Sequence, residues 1–209
     1  MIKFEKAEVW GIKHAIRGMR NPLNSWGRSD TVFDGDKMCL GENDVDLMTR
    51  LIRGGAPHRK FLRQIFVSVD ITAPLYWWSQ FDTYKVGTTA NSCSKMHKIH
   101  AKGFTLDDFS TEHLTSLSFA VLRDLINVMN LEREHYIACK DKDCWWQMIQ
   151  LLPSSYNQKR TVTMTYENLL NMLEYRRGHK LDEWRQFCDW ILTLPYGSLL
   201  LEGVSNEQS

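Results

Sequence analysis

APLYWWSQFDTYKVGTTANSCSKMHKI, residues 73–99, is the stretch whose reading decides the fold. Just upstream, Ile65, Val67, Val69 and Ile71 alternate with Phe66, Ser68 and Asp70, the periodicity of a strand. Pro74 then suits the first turn of a helix carrying Leu75, Trp77, Trp78 and Phe81. Past that helix, a segment of small residues holds Cys93 between Asn91 and Lys95, and the run nears its close at Lys98, with His97 and His100 nearby. Apolar walls with a few convergent polar and basic groups are what a pocket for a phosphorylated heterocycle requires.

Working outward, Val9, Ile12, Ile16 and Met19 stand at helical spacing and predict a helix over 5–20, stopped by Asn21-Pro22. Residues 21–43 are rich in Gly, Asp, Asn and Ser and read as a long surface loop. Val45, Leu47, Met48, Leu51 and Ile52 predict a short helix ended by Gly54-Gly55. The longest helical pattern runs from about Glu112 to Cys139, with Phe119, Leu122, Leu125, Ile126 and Met129 on one face. A shorter helix around Trp145–Leu152 ends before Pro153, and Thr161–Thr165 alternates β-branched residues as a strand does. Helices over Asn168–Arg176 and Leu181–Leu192 follow, split by Gly178, and the tail 204–209 is expected to fray. The pattern predicts one α+β domain over 1–203, a small, mostly antiparallel sheet packed by helices.

The 209 residues carry 26 basic and 25 acidic side chains, a net charge of +1, so any anion site is local rather than a general nucleic-acid coat. The five cysteines (Cys39, Cys93, Cys139, Cys144, Cys188) are scattered without a CxxC pair, and no apolar run is long enough to span a bilayer. A cytoplasmic protein, not bound to nucleic acid or membrane, is expected.

Two blocks resemble the flavin-dependent thymidylate synthases, the ThyX family. In that family an Ala-Pro run leads through a Gln to an Arg-His-Arg triplet, then, after seven intervening residues, a Ser, and an Arg two further. Here Ala73-Pro74 leads through Gln80 to Thr83-Tyr84-Lys85, then Cys93 and Lys95. The second block runs from Leu152-Pro153 through Tyr156, Lys159 and the Thr161–Thr165 strand to Asn171, Arg176 and Trp184. A weaker match lies at 58–74, where His58 fits the family's first histidine and Arg63 stands in place of a Glu.

The resemblance implies that Gln80, Cys93, Ser94, Lys95, Lys159 and Arg176 hold deoxyuridine monophosphate (dUMP), with Arg176 polarising the ring. Each basic position stays basic, though Lys in place of Arg is a point charge instead of a planar fork. It also implies FAD contacts at His58, Thr83, Tyr84, Lys85, Asn91 and Asn171, where Thr83, Tyr84, Lys85, Asn91, Thr165 and Glu167 depart from the family's residues. By the same resemblance the reaction is reductive methylation to dTMP with methylenetetrahydrofolate and NADPH, in a homotetramer.

Other readings stay open on the residues themselves. Cys93 and Arg176 are the candidate catalytic groups; Cys93 in place of Ser makes a flavin-free C5 hydroxymethyl transfer through a thiolate conceivable. A non-catalytic nucleotide-binding homologue is the third reading. A lone Cys among small residues is often a buried filler, and Trp77 and Trp78 read as core or subunit contact. Tyr84 reads as a packed, hydrogen-bonded residue, Lys98 and Lys102 as solvated, and Arg177 as a helix-dipole partner. Cys139 and Cys144 read as two buried thiols. His97 and His100 lack a third ligand at a sensible spacing, so no metal site is expected.

Overall fold

The 66–74 segment forms the best-buried strand of the protein, with Val67, Val69, Ile71 and Ala73 inaccessible on one face. The computed structural model describes residues 1–35 and 37–204; the tail expected to fray, from 205 on, lies outside them. In chain order the elements are β1 (Lys3–Trp10), α1 (Ile12–Met19), β2 (Val32–Asp34), β3 (Lys37–Cys39), α2 (Glu42–Arg53), β4 (Phe66–Pro74) and α3 (Leu75–Phe81). There follow β5 (Thr89–Ser92), α4 (Lys95–Lys98), α5 (Ser116–Cys139), α6 (Lys142–Gln150), β6 (Asn157–Thr165), α7 (Tyr166–Arg176) and α8 (Asp182–Thr193), with short 3₁₀ turns between several of them. One small antiparallel sheet has the order β1-β4-β6-β5, and β2 and β3 form a separate antiparallel hairpin. The α+β class expected from the sequence is the one observed. Among the described residues no helix is long and apolar enough to cross a membrane.

The chain divides into two compact units: Met1–Phe4, Asp70–Thr83 and Ala90–Thr161 in the first; Glu5–Val69, Tyr84–Thr89 and the chain from Val162 in the second. Their segments alternate along the sequence, so no single linker marks a boundary. In the first unit, Ile99, Phe104, Phe109, Leu122, Ile126, Met129 and Met148 make one apolar cluster. Trp77, Trp78 and Phe81 of α3 are buried as the sequence predicts, their rings stacked or edge-on at 4.9–5.4 Å. Each such burial contributes roughly 1.5–3 kcal/mol for a large apolar side chain. In the second unit the buried face of α7 (Leu169, Leu170, Met172, Leu173) and that of α8 (Trp184, Phe187, Ile191) supply the apolar interior.

Several sequence expectations are corrected. The first half of the predicted 5–20 helix is a strand: Lys3, Glu5, Lys6 and Glu8 lie on β1, at one edge of the sheet, where charge is tolerated and discourages further pairing. Gly11 separates strand from helix with φ of 91°, and a Cβ there would come 2.0 Å from the Gln64 carbonyl oxygen, so only glycine fits the corner. The predicted 21–43 loop contains the β2–β3 hairpin. The long helix begins at Ser116 rather than 112, because Thr115 accepts a hydrogen bond from the Ser118 N–H and so caps it. Along α5, Leu122, Ile126 and Met129 face inward, whereas Phe119 is exposed.

Behind the hairpin, Asp44 of α2 is wholly buried. Its carboxylate accepts hydrogen bonds from Arg20 Nε at 2.6 Å, Ser29 Oγ at 2.8 Å and Thr31 Oγ1 at 2.6 Å. Burial alone would raise its pKa, but the bonds from Thr31, Ser29 and Arg20 outweigh burial and hold it below the ordinary carboxylate value. Removing one member of such a pair leaves the other buried and uncompensated, so Asp44→Ala should lose about 3–5 kcal/mol of unfolding free energy. The lowered folded pKa means that the stabilisation is complete above the unfolded value of about 3.9 and disappears as pH falls through the folded one. The urea midpoints of wild type and Asp44→Asn should therefore differ at pH 7 and converge in acid; a gap unchanged by pH would refute this account.

Candidate functional site

A backbone pairing builds the site of the first unit. The Cys93 N–H donates to the Lys159 carbonyl at 3.0 Å, and Gln158 Nε2 donates to the Cys93 carbonyl at 2.7 Å. The Trp78 indole N–H holds the Gln158 carbonyl at 2.9 Å. Next to this clasp opens a cavity of about 300 Å³, at the small end of ligand pockets, whose lining includes Cys93, Ser94, Lys95, Lys102, Tyr156 and Lys159. Four residues predicted for one substrate site thus meet on one wall: Cys93, Ser94, Lys95 and Lys159. Gln80, Thr83 and Asn91 belong to the same unit but do not line the cavity. Thr83 instead turns its hydroxyl to the Gln80 carbonyl at 2.7 Å, closing the end of α3.

Cys93 is exposed, so the buried-filler reading is overturned: the small residues around it form the open edge strand β5 and not an interior. Ser94 caps α4 by accepting from the His97 N–H at 3.0 Å, which presents Lys95 at the first helical position. Lysine charges on the wall are partly matched: Lys102 pairs with Asp108, and Lys159 with Asp70 at 3.3 Å. Burial, followed by the charge of Arg160, lowers the Lys95 pKa from the ordinary lysine value, against a smaller opposing effect of Asp82. Arg160 itself lies over the Trp78 ring at 4.2 Å and binds Asp82 at 2.7 Å. An anion in this cavity would relieve the Lys95–Arg160 repulsion.

The remaining predicted residues belong to the second unit. Arg176, the last residue of α7, donates from Nε to the Tyr84 hydroxyl at 2.9 Å, and its guanidinium lies over the Trp184 ring at 4.8 Å. Tyr84 is thus the packed, hydrogen-bonded residue expected. His58 and Lys85 are exposed. Asn171 accepts from Arg59 Nη2 at 3.1 Å, while Arg59 Nε binds Glu167 Oε1 at 3.1 Å; the second Glu167 oxygen is buried without a hydrogen-bond partner among the described residues. Asn168 shares the capping box with Thr165 and donates to the Val86 carbonyl at 2.7 Å, tying the 84–89 segment to α7.

Sequence reasoning passed over Arg59, Gln158 and Arg160; Lys102, read as solvated, is exposed and also lines the cavity, paired with Asp108. The signal for Gln158 and Arg160 was available in β-branched Thr161–Thr165, had the strand been extended back to Asn157. Arg59 carried no pattern of its own. Cys139 is exposed and Cys144 half-buried, which corrects their reading as buried thiols; both lie at the surface corner between α5 and α6.

No family model matches the sequence, and no curated protein does. Among solved structures the chain is similar to the flavin-dependent thymidylate synthase ThyX from Helicobacter pylori complexed with FAD and dUMP, with a TM-score of 0.68 and 15% identity over 96% of this chain and 100% of that one. A second structure of Thymidylate Synthase X from the same organism, with FAD and dUMP, gives 0.67 and 14% over 96% and 97%. The chain has the ThyX fold.

Exposure separates the thiols in a way that chemistry can read. Burial, reinforced by Asp189, pushes the Cys188 thiol up to about 12. Labelling of the native protein with a maleimide at pH 8 should modify Cys93 and spare Cys188 until denaturant is added, as read by peptide mass spectrometry. Cys93 remaining unlabelled in the native state would contradict an open cavity wall.

Proposed function

We propose that this protein is a thymidylate-synthase-like enzyme acting at C5 of dUMP, by a flavin-dependent reductive methylation to dTMP with methylenetetrahydrofolate and NADPH. The observation that carries this reading is the convergence of Cys93, Ser94, Lys95 and Lys159 on one cavity, in a chain with the ThyX fold. Lys95 and Lys159 bind the nucleotide phosphate, the Ser94 hydroxyl donates to it, and Gln80 contributes to substrate binding. The family resemblance assigns to Arg176 the polarising of the pyrimidine, a task for a preorganised cation where negative charge develops. Its partner Tyr84 and the Trp184 face fix the guanidinium in direction, so little reorganisation is needed when substrate arrives.

The residues assigned to FAD fit a dinucleotide. The buried Glu167 oxygen that lacks a donor would accept from a heterocyclic N–H, and exposed His58 and Lys85 offer polar contacts to a pyrophosphate. The resemblance assigns Thr83, Tyr84, Asn91 and Asn171 to the same cofactor. When bound, the flavin supplies the reducing equivalent. The chain's own task is to orient the nucleotide and keep its charge balanced.

One specific observation favours a second reading: the Cys93 thiol opens onto the same cavity as the two lysines. In a flavin-free hydroxymethyl transfer, the Cys93 thiolate forms a bond to C6 and the ring electrons move to the C4 oxygen. C5 then attacks the folate methylene carbon, water takes the place of the folate nitrogen on that carbon, and loss of the C5 proton expels the thiolate.

A homotetramer is part of the proposal, as is a cytoplasmic setting. In support of association, Leu117, Val121, Val128 and Leu131 make an exposed apolar stripe along α5, at spacings of four, seven and three residues. Leu131→Glu should then reduce the mass observed by light scattering, and an unchanged mass would remove α5 from the interface.

Calorimetry with dUMP should show binding, weakened about 10- to 100-fold by Lys95→Ala or Lys159→Ala, the scale of one charge-assisted hydrogen bond. Absence of dUMP binding would sink the substrate assignment. A visible spectrum after FAD addition tests the cofactor: no retained flavin absorbance rejects the reductive route. Turnover abolished by Cys93→Ser, in protein that still binds dUMP, would then select the thiolate route.

A further inference from the structure

Away from that cavity, the corner between α5 and α6 collects donors of three kinds. Glu132 and His135 stand three residues apart on α5, and Cys144 lies in the opening turns of α6. A carboxylate oxygen, an imidazole nitrogen and the Cys144 sulfur all lie within 4.8 Å of one another. We propose that Glu132, His135 and Cys144 form a zinc-binding site that joins α5 to α6, with water in the fourth position.

Several observations support a metal rather than an accidental grouping. Glu-x-x-His on one helix directs both side chains to the same side, one turn apart, as carboxylate–histidine metal sites in helical bundles do. In a tetrahedral zinc site, with about 2.3 Å to sulfur and about 2.0–2.2 Å to nitrogen and oxygen, the donors stand roughly 3.3–3.7 Å apart. The main chain is fixed around the site: Lys140 takes the left-handed conformation that ends α5, and the Asp141 carboxylate caps α6 by accepting from the Asp143 N–H at 2.9 Å. Only those two residues separate the helices, so the third donor is held against the first two by a short, rigid turn.

Charge points the same way. The Glu132 carboxylate and the Cys144 sulfur lie within 4.8 Å of one another, and two such groups repel once the thiol ionises. A divalent cation turns this repulsion into attraction, since it binds the thiolate and carboxylate together. The mixed sulfur, nitrogen and oxygen set suits zinc and disfavours magnesium or calcium, which take oxygen ligands. The histidine that matters is His135, and not the His97–His100 pair that stands out in the sequence.

The test uses the full chain, freed of metal by a chelator and then loaded with zinc or cobalt(II). Wild type should retain one zinc per chain through desalting, measured by elemental analysis. Cobalt(II) should give a thiolate-to-metal charge-transfer band in the near ultraviolet. Cys144→Ser should abolish that band, whereas Cys93→Ser should leave it intact. His135→Gln, at an exposed position that does not threaten folding, should weaken zinc binding by at least about 10- to 100-fold in competition with a chromophoric chelator, since losing a ligand costs no less than losing a partner of one. No retained zinc, no charge-transfer band, or a band lost with Cys93 and kept without Cys144 would each overturn the proposal. None of these readouts depends on dUMP or flavin.

Discussion

The bond from the Cys93 N–H to the Lys159 carbonyl joins two segments 66 residues apart in sequence, and the candidate site depends on it. A backbone pairing of this kind fixes side chains to within a rotamer, because successive residues of a strand point to opposite faces. The Gln158 amide reinforces it from the side-chain direction, and the Trp78 indole secures the Gln158 carbonyl from the core. The aromatic cluster of α3 therefore has two roles. It is apolar interior, and it holds the strand segment that carries Lys159. The polar wall is only as well ordered as the apolar packing behind it.

Buried ion pairs impose a second kind of order, in the second unit. Arg20–Asp44 and Arg59–Glu167 each take a guanidinium and a carboxylate out of water, and a well-packed apolar pair would stabilise as much or more. What they add is direction. Asp44 gathers hydrogen bonds from Ser29 and Thr31 and so pins the loop ahead of the β2–β3 hairpin to α2. Arg59 reaches both Glu167 and Asn171, a turn apart on α7, and fixes the face of that helix. The pairing of Arg176 with Tyr84 belongs to the same scheme, on the following turn of α7.

Elements with strong periodicity were legible in the sequence, and so were the wall residues that sit on or beside them. The alternation of β4, the Pro74 start of α3 and the long α5 pattern all needed only local information. The edge strands β1 and β5 were not legible. β5 is built of small polar residues and β1 interleaves charges with Phe4, Val9 and Trp10, and they pair because of neighbours that no local window contains. The exposure of Cys93 was hidden for the same reason: its state depends on β5 being an edge. Cys93 and Lys159 were joined by the family-like spacing and not by any periodicity. Arg59 and Glu167 were invisible, since 108 residues separate the two ends of that pair.

Lysines on its wall set what such a cavity can discriminate. A guanidinium fork selects a carboxylate or phosphate by the geometry of two parallel bonds, whereas an ammonium selects mainly by charge. Under the proposed function, Lys95 and Lys159 therefore attract the phosphate without fixing its rotation. Orientation has to come from groups that meet the rest of the nucleotide. Asn157, Gln158, Tyr156 and Cys93, which also line the cavity, are directional groups on or beside the paired strand segments. On the proposed reading, selectivity for a base then follows from the β6 backbone, and the lysines supply affinity.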